Sequence, residues 1–396
     1  MPANRTILLL SVGHGCVDVY QGSVAALIPF FIAERSYTYA VASGIVLAAS
    51  LLSSVAQPLF GVLTDRWAMP WLMPASTLLG GLGVALSGLS GSYALTLVFV
   101  AVSGIGIAAY HPESARVARI ASRGSHTAMG WFSLGGNIGF AAAPLMVTAA
   151  IATGGLRYTP LLILPALVGS VLCLPVLRAL TRADAAAGKG TSAPKARREH
   201  DDTASFVRLS LAVACRSVAF MGLSTFIALY ARQRTGGGTT AGTAALSVLY
   251  LGGAVGTVLG GRLATRFDRV AVVRGAYLAG IAAVAGTVLV PGPPLYFFTA
   301  LASAALYIPF SLQVTLGQDY LPSRVGTASG ITLGLAVSVG GVAGPLIGAL
   351  ADATSLRTAL TPLILMPGLA YLMARTLNEP STHLSVTAEP VRAPLT

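Results

Sequence analysis

The sequence predicts an all-α membrane protein in which twelve transmembrane helices form two six-helix bundles. Three observations lead there. Hydrophobic residues make up 55% of the 396-residue chain and charged residues only 10%, whereas soluble domains carry roughly 25% charged residues. Twelve apolar stretches approach or exceed the ~20 residues needed to cross about 30 Å of hydrocarbon. The last six of these stretches repeat features of the first six about two hundred residues further along the chain.

The first span, Ile7 to Ile32, follows Arg5 and so has the start of a signal peptide, but it is too long, holds His14 and Asp18, and lacks a small-residue cleavage site. Val41 to Leu63, Leu72 to Ser90 and Tyr93 to Glu113 come next, the last closed by His111, Pro112 and Glu113. Thr127 to Ala152 and Thr159 to Leu177 complete an N-terminal bundle over residues 1–178. Residues 179–205, rich in Ala, Gly, Ser and charge, predict a cytoplasmic linker. The C-terminal bundle, residues 206–380, holds Phe206 to Tyr230, Thr243 to Leu263, Val270 to Val290, Leu295 to Leu316, Gly326 to Leu350 and Leu356 to Leu372. Residues 381–396 are expected to form a disordered cytoplasmic tail. The 45 glycines suit close packing between membrane helices. Cys16, Cys173 and Cys215 all fall inside spans, lack metal-ligand spacing, and are expected as buried free thiols.

With the N-terminus in the cytoplasm, nineteen of the 25 Lys and Arg residues fall on inside segments and five outside, with Arg216 left within a span. That asymmetry satisfies the positive-inside rule. The formal net charge of +12 then reflects topology and contact with anionic lipid, and calls for no nucleic acid.

The repeat is visible residue by residue. Gly22, Gly61, Leu63 and Arg66 recur as Gly222, Gly261, Leu263 and Arg266. One residue further in register, Ser122, Arg123, Gly139, Pro144 and Leu145 recur as Ser323, Arg324, Gly340, Pro345 and Leu346. Six spans per half give both halves the same orientation, so they are parallel repeats about an axis along the membrane normal.

Gly61, Asp65 and Arg66 after the second span resemble the loop motif of the major facilitator superfamily. More narrowly, HGCVDVYQ (14–21), QPLFGVLTDRWAMPW (57–71), YHPESARVARIA (110–121), GGNIGFAAAPL (135–145), RSVAFMGLSTFIALY (216–230) and GQDYLPSRVGTASG (317–330) are similar to its fosmidomycin-resistance branch. The loop motif is truncated here, since Ala68 to Pro70 replace its final Gly-Arg-Arg and Thr265 replaces the acid in the second half. The resemblance implies gating roles for Asp65, Arg66 and Arg266, and proton-driven export of fosmidomycin-like phosphonates or other small amphiphiles; Arg116, one turn from Glu113, is a further gating candidate.

The residues themselves point to polar chemistry inside the membrane. At ~1.5 Å per residue, Asp18 lies near the midplane of the first helix, and His14, Asp18 and Gln21 share one face. An ionisable group there costs about 2.5 kcal/mol or more if it faces lipid, so this face should line a cavity or the other bundle. A buried pair that only ties helices together is the alternative. Arg216 lies at comparable depth on the seventh helix, as counter-ion to Asp18, as a handle for an anionic substrate, or as a structural tie. His111 is a substrate-side candidate, Glu113 a proton carrier or a structural partner of Arg116, and Tyr20, Phe132, Tyr250 and Tyr307 possible cavity aromatics.

The expectation is a secondary transporter working by alternating access, with Asp18, Glu113 and His14 in proton coupling and Arg216, Gln21, His111 and Tyr20 in substrate binding. Burial and a nearby arginine act on a carboxyl's proton affinity in opposite directions, so movement between such environments would load and unload a proton. Export is the leading reading and symport of a small anion the alternative, because an anion that draws Arg216 away from Asp18 favours carrying proton and anion together. An enzyme with a metal among His14, Asp18, His111 and Glu113 has no HExxH helix, Cys pair or nucleotide loop behind it. A receptor has no sizeable soluble domain through which to relay a signal. No metal, cofactor or catalytic residue is expected. The partners are a small-molecule substrate, protons and lipid, for a monomer in the bacterial inner membrane with both termini cytoplasmic.

Overall fold

The computed structural model describes residues 3–67, 69–122, 126–152, 154–186 and 201–380. It is all helical among them, with thirteen α-helices making twelve passes. The first half contains α1 (Ala3–Arg35), α2 (Tyr39–Arg66), α3 (Leu72–Ser87), α4 (Tyr93–Ser122), α5 (His126–Ile151) and α6 (Leu164–Ala186), which a 3-10 stretch, Gly155–Ile163, precedes. The second contains α7 (Thr203–Thr235), α8 (Gly238–Leu263), α9 (Arg269–Leu289), α10 (Pro294–Tyr320) and α11 (Val325–Ala353). Its last pass is broken into α12 (Leu356–Leu360), a 3-10 turn at Thr361–Ile364, and α13 (Leu365–Ala374). Pro362 and Pro367 lie at that break, each removing a backbone donor. Among the described residues, ten helices are long and apolar enough to cross a membrane, and Leu72–Ser87 is a shorter apolar helix.

Local chemistry sets several ends. The Thr38 hydroxyl accepts from Val41 N at the start of α2. The Asp202 carboxylate accepts from Ser205 N at 3.0 Å to start α7, and its hydrogen bonding to Ser205 holds the carboxyl below its usual range. Gly236, at φ 68°, ends α7 in the left-handed conformation that glycine adopts without strain. Two predicted ends move: α4 continues through Pro112 to Ser122, and α6 continues past Leu177 to Ala186.

Within each half the repeat is also a packing repeat. α1 and α5 approach so closely that a Cβ on Gly135 would strike the Ser11 carbonyl, and one on Gly139 the Gly15 carbonyl. In the second half, a Cβ on Gly340 of α11 would meet Ser217 and Met221 of α7. Large apolar side chains such as Leu59, Leu145, Val171 and Leu346 face outward, 58–69% exposed, as lipid-facing positions should be. Cys173 is buried, while Cys16 and Cys215 are half-buried, and all three are free thiols.

The halves meet through α1 with α7, α2 with α11 and α5 with α8. They are joined at the face away from the termini. There Asp352, near the end of α11, accepts from Tyr39 N at 2.8 Å and Ala40 N at 2.9 Å at the start of α2. Gln233 of α7 donates to the Tyr39 hydroxyl at 3.0 Å, and Thr148 of α5 meets Thr243 of α8 at 2.7 Å. Asp352 thus caps a helix of the opposite bundle, satisfying N–H groups that have no partner within their own helix.

Removing this cap should loosen the closed face. In a background lacking the native cysteines, a cysteine at Ser43, which is buried beside Gly344 of α11, is expected to react several-fold faster with a thiol reagent when Asp352→Ala is added. An unchanged labelling rate would show that the cap does not hold the face shut.

Candidate functional site

Between the bundles lies a cavity of about 670 Å³ whose lining includes His14, Asp18 and Gln21 of α1, His111 of α4, and Arg216 and Phe220 of α7. Its wall continues through Gln57 and Pro58, near the end of α2, and Phe132 and Ser133, near the start of α5. Those helix ends lie on the same side as the termini. The cavity therefore opens toward the face bearing the termini and is shut by the Asp352 cap at the other.

Asp18 sits between two imidazoles. His14, one turn earlier on α1, places Nε2 at 3.3 Å from Oδ2, and His111 places Nε2 at 3.1 Å from Oδ1. Each ring is held by its far nitrogen: His14 Nδ1 lies 2.9 Å from the Phe132 carbonyl oxygen and His111 Nδ1 2.7 Å from that of Ile107. A carbonyl oxygen can only accept, so each Nδ1 carries a hydrogen, and a neutral ring then presents a bare lone pair at Nε2. Both lone pairs point at a carboxylate. Filling the two contacts takes two further protons, placed on both rings or divided between one ring and the carboxyl.

The surroundings fix this geometry. The Phe132 ring stacks on His14 at a centroid distance of 4.3 Å, and Tyr110 stacks on His14 at 6.2 Å and meets His111 edge-on at 6.1 Å. At Gly136 of α5 a Cβ would strike Asp18 Oδ2 and the His14 ring, so the bare backbone there makes room for the cluster. Side chains of Asp18 and His14 are 8% and 11% exposed, whereas His111 is 24% exposed and is the member open to the cavity.

Arg216 faces the same cavity from the second bundle, 3% exposed. Its guanidinium lies over the Phe310 ring at 5.2 Å, near Tyr277 and Tyr307, and its Nε has no hydrogen-bond partner. Among the described residues it makes no ion pair. The expected pairing of Arg216 with Asp18 is thus not the one present, since Asp18 is held by the two histidines.

The other predicted residues lie elsewhere. Glu113 is fully buried and paired with Arg116, Nη2 to Oε1 at 2.5 Å and Nε to Oε2 at 3.0 Å, and neither lines the cavity. Tyr20 faces the sixth pass, donating to Leu162 O at 2.9 Å and accepting from Ala166 N at 2.6 Å. Arg266 is exposed in the turn after α8. Asp65 and Arg66 end α2, and their side chains lie outside the described residues. Phe132, Tyr250 and Tyr307 do line the cavity. Sequence reasoning missed Phe310, Gly136 as a spacer, and the two carbonyls that orient the imidazoles.

The sequence profile described as Major Facilitator Superfamily matches residues 10–345. The chain is 30% identical over 370 residues to the Fosmidomycin resistance protein of Escherichia coli (strain K12), covering 92% of this chain and 90% of that one. It is 29% identical over 379 residues to the uncharacterized MFS-type transporter YfnC of Bacillus subtilis (strain 168), covering 92% and 91%. Among solved structures, a bacterial homolog of the human lysosomal transporter Spinster, in an inward-facing and occupied conformation, superposes with a TM-score of 0.72 at 18% identity, over 94% of this chain and 96% of that one.

Two substitutions probe the site. Gly136→Ala is expected to destabilise the protein by about 1–3 kcal/mol, as overpacking does, whereas Gly130→Ala, with open space around its Cβ, should leave the melting temperature unchanged or higher. Arg216→Met removes a buried charge that has no carboxylate partner, so the melting temperature in detergent should rise. A fall would mean that the guanidinium is a structural tie.

Proposed function

The chain belongs to the Major Facilitator Superfamily and is a multi-pass membrane transporter of small molecules; from that premise we propose that it is a proton-coupled exporter of small anionic amphiphiles of the fosmidomycin type, working by alternating access in the bacterial inner membrane. The carrying observation is the cavity between the bundles, which sets the His14–Asp18–His111 cluster on one wall and a buried arginine with no ion-pair partner among the described residues on the other. With the positive-inside bias placing both termini in the cytoplasm, an opening on their face is an inward-facing state ready to load cargo.

The triad removes a difficulty that a direct Asp18–Arg216 pair would raise. An anion bound to Arg216 takes nothing from Asp18. If the same molecule also carries a hydrogen-bond donor, that donor can replace His111, the exposed member, at Asp18 Oδ1. The carboxylate's acceptor is then filled by the substrate, and a proton that bridged the contact is free to leave. Cargo and proton therefore compete for one contact, which is the linkage that exchange requires. Symport is supported by the same arginine: an anion lacking a donor makes the cavity more negative and favours protons on the triad.

Gating is assigned to the α2–α11 pair. Asp352 caps α2 at the closed face. Asp65 and Arg66 end α2 on the termini side, where α11 starts at Val325, so a rocking motion would release one carboxylate-to-helix contact and offer another. The chain acts as a monomer, because cavity and triad are complete within it.

Proton movement in proteoliposomes tests the coupling. With a pH gradient imposed, fosmidomycin added to wild-type protein should evoke proton flux opposite to the substrate, and Asp18→Asn should abolish it. Co-directional flux would establish symport instead, and substrate movement with no proton flux would remove coupling altogether.

A further inference from the structure

The triad has the geometry of a metal site. His14 Nε2, His111 Nε2 and an Asp18 oxygen all lie within 4.8 Å of one another, with His14 3.3 Å from Asp18 Oδ2 and His111 3.1 Å from Oδ1. A four-coordinate ion with bonds of about 2.0–2.1 Å holds its ligand atoms roughly 3.3 Å apart. Both rings already have the outer hydrogen bond that metal-binding histidines use, Nδ1 to a backbone carbonyl, which fixes the tautomer and turns the Nε2 lone pair inward. The three ligand atoms come from α1 and α4, which pack together independently of the second bundle.

We propose that His14, Asp18 and His111 bind one divalent transition-metal ion of zinc's chemistry, with an open coordination position on the central cavity. Two imidazoles and one carboxylate select zinc or cobalt over magnesium and calcium, which prefer oxygen ligands. The open position faces the space that Arg216 borders, so a cargo with a metal-binding oxygen and an anionic group could attach to both walls. The ion would take the contacts that protons fill in the proposed transport cycle, so metal and protons compete for the triad; the proposal does not rest on proton coupling or on the direction of transport, since all three ligands lie in the first bundle.

The test uses untagged, full-length protein in detergent, stripped with a chelator and titrated with Co2+ and Zn2+. The expected result is one Zn2+ bound per chain by calorimetry, with visible Co2+ bands of a four-coordinate site. His14→Gln and His111→Gln should each lower the affinity by at least about 100-fold, more than loss of an outer-shell partner costs. A variant in which His126, His200 and His383 are all replaced by Gln should bind as wild type. Absence of saturable binding, or binding that survives both His14→Gln and His111→Gln, would overturn the site. Should either variant fail to fold, X-ray absorption at the zinc edge of the wild type decides: two imidazoles and an oxygen support the site, and any other ligand set overturns it. Flux measurements with Asp18→Asn stand or fall separately, because metal binding is read without transport.

Discussion

Four acceptor atoms, the Nε2 atoms of His14 and His111 and the two carboxylate oxygens of Asp18, converge inside the first bundle, and much of the molecule is arranged around that fact. The carbonyls of Phe132 and Ile107 commit both Nδ1 hydrogens, so the Nε2 lone pairs of His14 and His111 face a carboxylate rather than a donor. Uncompensated, such an arrangement buried in a membrane protein is costly. Protons or a cation must therefore occupy the contacts. α5 contributes by having no side chain at Gly136, and Phe132 of the same helix both stacks on His14 and accepts its hydrogen.

The repeat explains why this chemistry is confined to one half. An offset of two hundred residues carries His14, Asp18 and His111 onto Ala214, Val218 and Ser311, and carries Arg216 back onto Cys16. The backbone framework is duplicated, as the matching contacts of Gly139 on α1 and Gly340 on α7 show, while the ionisable groups are not. One bundle thus carries the histidine–aspartate cluster and the other a fixed positive charge. A cavity bounded by the two has a polar axis running from bundle to bundle, across the direction of transport, so the ends of a bound molecule are distinguished whichever face is open.

The fold and half of the site were legible in the chain. Length, apolarity and the repeat sufficed for twelve passes, and the i, i+4 spacing of His14 and Asp18 placed them on one cavity-facing side. His111 stands 93 residues from Asp18, and no local pattern announces that they meet; only the packing of α4 on α1 brings them together. Charge alone suggested Arg216 for Asp18, but two imidazoles satisfied it first. The fourth span is expected to close at His111, Pro112 and Glu113, yet α4 runs on to Ser122, as membrane helices can when their neighbours satisfy the backbone group that a proline frees. Tyr20 shares a helix with the site but faces α6, a difference of direction around the helix that depth along it does not reveal.

The closing contacts also bear on how such a chain can move. At the shut face the polar joints are a helix cap from Asp352, a Gln233–Tyr39 hydrogen bond and a pair of threonine hydroxyls. Each involves a group that water or another helix end can satisfy equally well, so breaking them leaves no buried polar group stranded. Apolar side chains of both halves, among them Phe31, Ile45, Phe226 and Ile347, pack into one cluster beneath these contacts, whereas a buried ion pair would cost several kcal/mol to separate. Polar contacts that exchange in this way add little to the free-energy gap between two states, which a ligand shifts only by its differential affinity for them. The immobile parts, by contrast, lie within the bundles: the glycine contacts of α1 with α5 and the Tyr20 bridge to the sixth pass. Rigid halves with a replaceable clasp are what rocking about a midplane site requires.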